Sequence, residues 1–276
     1  MFKLALVQME IKGGEKRHNL AHAAEMIAEA ASNHATFIVL PEAMNLGWTH
    51  PSAKIDADEI PDGETCRMLA SAAQSHSVFI CSGLIERVGE RVYNAAVLIS
   101  PAGKVILHHH KINELDIGHD LYDQGAHLNV CKTDLGTIGL MICADAFAED
   151  HVLSRSLCYM GVDIIVSPCS WAVPPGHDNV KDPCGKQWHD YYAPVARRFK
   201  VWIAGVSNVG HIEAGPWKGF ICIGNSLLIE PNGNISVEGP FGVDAETILY
   251  ADVTPLARPA RGTAWMQFWN KKKIDT

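Results

Sequence analysis

Apolar and polar positions along the chain switch repeatedly between two rhythms. Phe2–Met9 is a short apolar run rich in strand-forming residues. Leu20, Ala23, Ala24, Ile27 and Ala31 then recur at helical spacing through an Ala- and Glu-rich segment that ends near Asn33. Thr36–Leu40 (TFIVL) reads as a buried strand, and Thr65–His76 as a helix with Met68, Leu69, Ala72 and Ala73 on one face. Val78–Leu84 is a further strand. Tyr93–Ser100 and Lys104–His109 predict two more, joined by the turn Pro101-Ala102-Gly103. Thr137–Ile142 (TIGLMI) predicts another buried strand. Glu149–Met160 reads as one helix closed by Gly161, since glycine adopts the left-handed conformation after a helix at no steric cost. Asp163–Val166 is a strand, Lys186–Lys200 a helix and Val201–Val206 a strand. Leu227–Glu230, ahead of Pro231-Asn232-Gly233, opens a final hairpin. The polar stretch from Ser170 to Gln187 reads as a long loop, of the kind that in compact domains often carries function.

Strand and helix patterns are mixed throughout, with no compositional break, repeat or low-complexity linker. One α/β domain over residues 1–276 is the economical reading. Residues 258–276 carry Trp265, Phe268 and Trp269 in neither rhythm, and this tail is expected to pack on its own domain or on a dimer partner.

Composition narrows the class. Lys and Arg number 23 against 31 Asp and Glu, a formal charge of −8. That balance argues against a nucleic-acid partner or an anionic membrane surface. An apolar fraction of 47% is too high for a disordered chain. No apolar run reaches the roughly 18 residues a membrane span needs. The apolar stretch at the amino end is too short for a secretory signal, so a cytoplasmic location is expected. The eight cysteines, at 66, 81, 131, 143, 158, 169, 184 and 222, form no CxxC pair and are sparse for a disulfide scaffold. Most sit in apolar runs, where a free thiol behaves as a small hydrophobe. His108-His109-His110 in a row cannot point at one metal from a strand, because successive side chains face opposite ways.

Three buried strands run straight into a reactive side chain. TFIVL is followed by Pro41 and Glu42, KVILHHH by Lys111, and TIGLMI by Cys143; DIIV runs into Ser167-Pro168-Cys169-Ser170-Trp171. In α/β folds the carboxyl ends of neighbouring strands share one edge, and ligands bind in the crevice there. Strands lying side by side would bring Glu, Lys and Cys into one pocket. A carboxylate there has its pKa raised by desolvation and serves as a base. A thiol becomes a nucleophile when that base takes its proton. An ammonium, with the backbone N–H of Ala144 as second donor, stabilises an oxyanion. These are parts for acyl transfer at an amide-like carbon. Taken singly, each residue has a plainer reading: Glu42 as a surface residue after a turn, Lys111 as a solvated cation, Cys143 as core filler.

The ordered series ALVQM, LPE (Leu40–Glu42), PAGKVILHHHK, GLMICAD, GVDIIVSPCSW, VSNVG (Val206–Gly210) and GNSLLIEPNG (Gly224–Gly233) resembles the nitrilase superfamily of carbon–nitrogen hydrolases, from about Lys3 to Gly233. The resemblance implies a four-layer α-β-β-α sandwich and a homodimer or higher homo-oligomer. It implies Glu42 as general base, Lys111 as oxyanion stabiliser and Cys143 as acylated nucleophile, with no metal or organic cofactor. The chain departs from the family pattern in two places. Many members carry a second glutamate after the lysine. In Gly118–Gly125 the matching place holds His119, so Glu114, Asp120 or His119 are the alternatives for that second acid. After the nucleophile the chain reads Ala144-Asp145-Ala146-Phe147 in place of a Tyr-Asp and Arg-Phe-Pro pattern. His119, Tyr122 and Trp171 are candidates for lining the pocket. The expected activity is hydrolysis of a small amide or N-carbamoyl compound. Conversion of a nitrile to an acid, or a non-catalytic binding protein on the same fold, are the alternatives.

Overall fold

The structure, a computed structural model, describes residues 1–257; the aromatic tail 258–276 lies outside the described residues. In chain order the strands are β1 (Phe2–Gln8), β2 (Phe37–Val39), β3 (Phe79–Val88), β4 (Arg91–Ile99), β5 (Val105–His110), β6 (Val130–Thr133), β7 (Gly136–Leu140) and β8 (Ile164–Cys169). They continue with β9 (Ala172–Val173), β10 (Trp202–Ser207), β11 (Val209–His211), β12 (Ile221–Ile223), β13 (Leu227–Ile229), β14 (Ile235–Glu238) and β15 (Thr247–Val253). The helices are α1 (Lys16–Ser32), α2 (Ala53–Asp56), α3 (Glu64–His76), α4 (Val152–Met160) and α5 (Cys184–Phe199).

Two six-stranded sheets carry the fold, in the orders β15-β1-β2-β3-β4-β5 and β14-β13-β10-β8-β7-β6. Alternation along β1 shows the layering, because neighbouring side chains leave opposite faces of a strand. Ala5 and Val7 pack outward with Leu20, Ala23 and Ile27 of α1 and Leu69 and Ala73 of α3. Leu4 and Leu6 pack inward with Ile138, Leu140, Val166 and Ile203 of the second sheet, and Leu157 of α4 and Tyr192 and Val195 of α5 extend that same cluster. The order is therefore helix, sheet, sheet, helix, as the resemblance implies. Strands covered on both faces are apolar at every position, which is why TFIVL and TIGLMI carry no polar alternation.

Besides the short unpredicted elements α2, β6, β11 and β12, three segments differ from the sequence reading. The helix expected over Glu149–Met160 is broken: Glu149–His151 is a short 3-10 turn, and Asp150 and His151 have φ of 55° and 53° before α4 starts at Val152. Gly161 closes α4 in the left-handed conformation, φ 105°. The expected loop from Ser170 to Gln187 contains β9, held in a three-stranded sheet with β12 and β11, and α5 begins at Cys184 rather than Lys186. β15 lies in a region with no marked apolar run. It pairs antiparallel with β1 along its length, Phe2 with Val253 through Gln8 with Thr247. Most of its side chains are only partly covered, so its pattern is diluted.

Candidate active site

β2, β3 and β5 run in one direction in the first sheet, and β7, β8 and β10 are mutually parallel in the second. Glu42 and Lys111 therefore leave the first sheet, with two strands, β3 and β4, between them, while Cys143 leaves the second. The reactive ends meet across the two sheets rather than side by side in one. The backbone ties the two halves together: the Glu42 N–H donates to the Cys169 carbonyl at the end of β8, 3.2 Å away. Gly83 on β3 makes room for this crossing, since a Cβ there would lie 2.5 Å from the Glu42 Cα.

Lys111 is buried and sits between two carboxylates. Its Nζ donates to Glu42 Oε1 and to Glu114 Oε1, each at 2.8 Å. Asn94, on β4, joins both acids through its amide nitrogen, at 2.7 Å to Glu42 Oε1 and 3.0 Å to Glu114 Oε2. Glu114 thus occupies the position of a second acid beside the lysine. His119 is exposed and does not line the cavity that Cys143 faces. Burial raises the Glu42 pKa from its usual carboxylate value. Lys111 opposes this, but the nearby Glu114 charge adds to it, because two acids share one ammonium. Burial alone would lower Lys111, yet Glu42 and Glu114 outweigh it and hold the ammonium well above its usual pKa.

Cys143 opens a 3-10 turn directly beyond β7, with φ of 42°, a left-handed conformation that a non-glycine residue adopts only when its surroundings enforce it. Asp145 does much of the enforcing. Its Oδ2 accepts from the Ile142 N–H at 2.9 Å and from His109 Nε2 at 2.8 Å, and its Oδ1 accepts from the N–H groups of Ile112 and Asn113. The Cys143 turn and the segment after Lys111 are therefore held by one buried carboxylate. Asn113 adds a bond to the Ala144 carbonyl, and the Cys143 N–H donates to Ser167 Oγ. Burial, the neighbouring Cys169 thiol and Glu42 push the Cys143 thiol well above its usual pKa, so it rests as a neutral thiol.

Cys143, Lys111, Glu42 and Ala144 line a cavity of about 180 Å³. Its other walls are chiefly aromatic: Trp48, Phe147, Trp171, Trp188 and Trp217. Trp171 stacks on Trp188 at 4.2 Å, and Trp48 meets Trp217 edge-on at 5.0 Å. Gly205 permits this wall, because a Cβ there would lie 3.0 Å from the Trp171 ring and 2.8 Å from Tyr192. Tyr122 is buried behind the wall, where its hydroxyl accepts the Thr49 N–H at 2.8 Å and braces the loop that carries Trp48. A larger depression of about 410 Å³, around His151, Arg155 and Arg198, is more open, and Cys143, Glu42 and Lys111 are not among its described lining residues.

Sequence reasoning did not find Asn94, Asp145, His109 or Ser167, nor the walls Trp48, Trp188 and Trp217. Asp145 had a local cue, two residues after Cys143. Asn94, His109 and Ser167 act across 20 to 52 residues of chain, which no local pattern reports.

The carbon–nitrogen hydrolase family model matches residues 3–261. The chain is 30% identical over 240 residues to a nitrilase of Pyrococcus abyssi, covering 85% of this chain and 84% of that protein. It is 27% identical over 263 residues to the omega-amidase NIT2 of Mus musculus, covering 91% and 88%. A carbon–nitrogen hydrolase structure from Helicobacter pylori shares the fold at TM-score 0.79 and 20% identity, covering 91% of this chain and 88% of that one. With a family match running from the first strand past the last, the chain belongs to the carbon–nitrogen hydrolases of the nitrilase superfamily.

Proposed function

We propose that this enzyme hydrolyses a small, uncharged carboxamide through an acyl-enzyme on Cys143, releasing ammonia or an amine. The observation that carries the reading is the buried Lys111, held between Glu42 and Glu114 at 2.8 Å each, in the cavity that Cys143 also faces. Because the thiol rests neutral, attack needs a base at the moment of bond formation, and Glu42 is a carboxylate with a raised pKa. Cys143 Sγ adds to the amide carbon as Glu42 takes the thiol proton. The oxyanion is met by the Lys111 ammonium and the Ala144 N–H. Collapse breaks the carbon–nitrogen bond, and Glu42 returns the proton to the departing nitrogen. Water then attacks the thioester, Glu42 takes its proton, and acid and thiol are released. Glu114 keeps Lys111 charged and fixed without meeting the substrate.

The cavity supports a small, neutral substrate. Its volume of about 180 Å³ lies below the roughly 300–1,000 Å³ of sites for drug-sized ligands. Among the described residues lining it, Lys111 is the only cation, and both its carboxylate partners already occupy it. A carboxylate on the acyl chain would be buried against aromatic rings without a counter-ion, at a cost of several kcal/mol. Ammonia release from a panel of neutral alkyl and aryl amides, carboxylate-bearing amides, N-carbamoyl amines and nitriles tests this. Neutral amides are expected to exceed their carboxylate-bearing analogues in kcat/KM by about 10²-fold or more. Preference for the charged amides would overturn the assignment of substrate class, and turnover of nitriles alone would overturn the amidase reading.

A further inference from the structure

The three consecutive histidines of β5 divide between the two faces of the first sheet. His109 turns inward to Asp145, its side chain 2% exposed. His108 and His110 turn outward, and both donate from Nε2 to one oxygen of Glu86, at 2.7 and 2.6 Å. Glu86 belongs to β3 and reaches them across β4, where the residue paired with His110 is the small Ala95. All three in a row cannot share a metal, but the first and third, with this glutamate, bring three ligand atoms within 4.8 Å of one another.

We propose that Glu86, His108 and His110 form a site for one divalent transition-metal ion of the zinc, nickel or copper class. Two imidazole nitrogens and one carboxylate oxygen suit these ions, and a fourth position is left to water. Bonds of 2.0–2.1 Å at tetrahedral angles place ligand atoms about 3.3 Å apart, so the ion needs each histidine to retreat from Glu86 by under about 1 Å and the two histidine nitrogens, which lie within 4.8 Å of each other, to settle at the same spacing. The supports are in place. The Glu86 side chain is 4% exposed, and the His108 and His110 side chains are 34% and 24% exposed, which leaves an entry path from the outer face. His110 stacks on Tyr93 at 3.9 Å with planes 5° apart, and His108 stands at 89° to it. On binding, Nε2 of each neutral ring gives up its hydrogen to become the ligand, and the ring carries its hydrogen at Nδ1. The ion clips β3 to β5 across β4, one residue before Lys111. It lies on the opposite face from the His109–Asp145 bond and takes no part in amide hydrolysis.

The competing ligands are the eight thiols, so the test separates the two sets. Full-length, reduced, chelator-stripped enzyme is titrated with Zn²⁺ by calorimetry and with Co²⁺ by absorption. One saturable site is expected, with a Co²⁺ spectrum free of a thiolate charge-transfer band. The substitutions His108→Ala and His110→Ala together are expected to weaken Zn²⁺ binding by more than about 100-fold, the upper range even for losing a supporting partner of a metal ligand. The single variant His108→Asn, at a half-exposed position, serves if the double variant does not fold. Absence of saturable binding, a thiolate band, or equal affinity in the histidine variants would overturn the proposal.

Discussion

Lys111 shows what a single residue's surroundings do to its chemistry. Its ammonium satisfies two buried carboxylates, while burial, reinforced by the nearby Glu114 charge, raises Glu42 above an ordinary carboxylic acid. The sign of the pH dependence follows. Glu42 must be ionised to accept the thiol proton, so activity rises with pH through its folded-state pKa, and the acid limb of kcat/KM lies above the ordinary value of 4.5. Replacing Glu114 with Gln removes one raising influence on Glu42, so the acid limb is expected at lower pH, with kcat reduced through the less firmly held Lys111. A pH–rate profile of the variant measures this, and an unmoved limb would contradict the assigned role of Glu114. At this scale Glu42, Lys111 and Cys143 were legible because each directly follows an apolar strand. Glu114 was one of several alternatives, since counting along a loop cannot tell which carboxylate turns back; the contact spans only three residues but depends on the turn. Asn94 was silent, because nothing local marks an asparagine in β4 as the bridge between two acids.

Between elements, Asp145 decides whether the site holds its shape. It is fully buried and links the end of β7 to the segment after β5 through four bonds. Burial opposes its charge, but His109 and the backbone N–H groups prevail and hold its pKa below the usual 3.8. A depressed folded-state pKa contributes stability that is present above the unfolded value and lost as pH falls through the folded one. Acid destabilisation through this residue is therefore expected only below about pH 4. Asp145→Ala strands His109 and three N–H groups, and is expected to cost about 3–5 kcal/mol in urea unfolding at neutral pH. A loss under 1 kcal/mol would show that the turn does not depend on it. Strands buried on both faces were plain in the sequence. The kink at Asp150 and His151 was not, since positive φ at these residues leaves the apolar spacing of a helix intact. β15 was missed because its side chains are half-covered, and its place is fixed by pairing with β1 rather than by its own pattern.

At the scale of the whole molecule, two sheets face each other and each contributes part of one cavity lining. The carboxylates and the lysine come from the first, Cys143 from the second, and the aromatic wall partly from Trp171 just before β9 and Trp188 in α5. The layering was legible only through the ordered series of motifs, because periodicity identifies strands but not which sheet receives them. No helix among the described residues is long and apolar enough to cross a membrane. The account stands or falls on Cys143 as the group that is acylated. Ammonia release by Cys143→Ala, on an amide the native enzyme turns over, with folding checked by circular dichroism, is the most direct measurement. The account predicts a fall of at least about 10³-fold in kcat. A correctly folded variant that retains activity within tenfold of the native enzyme would contradict it.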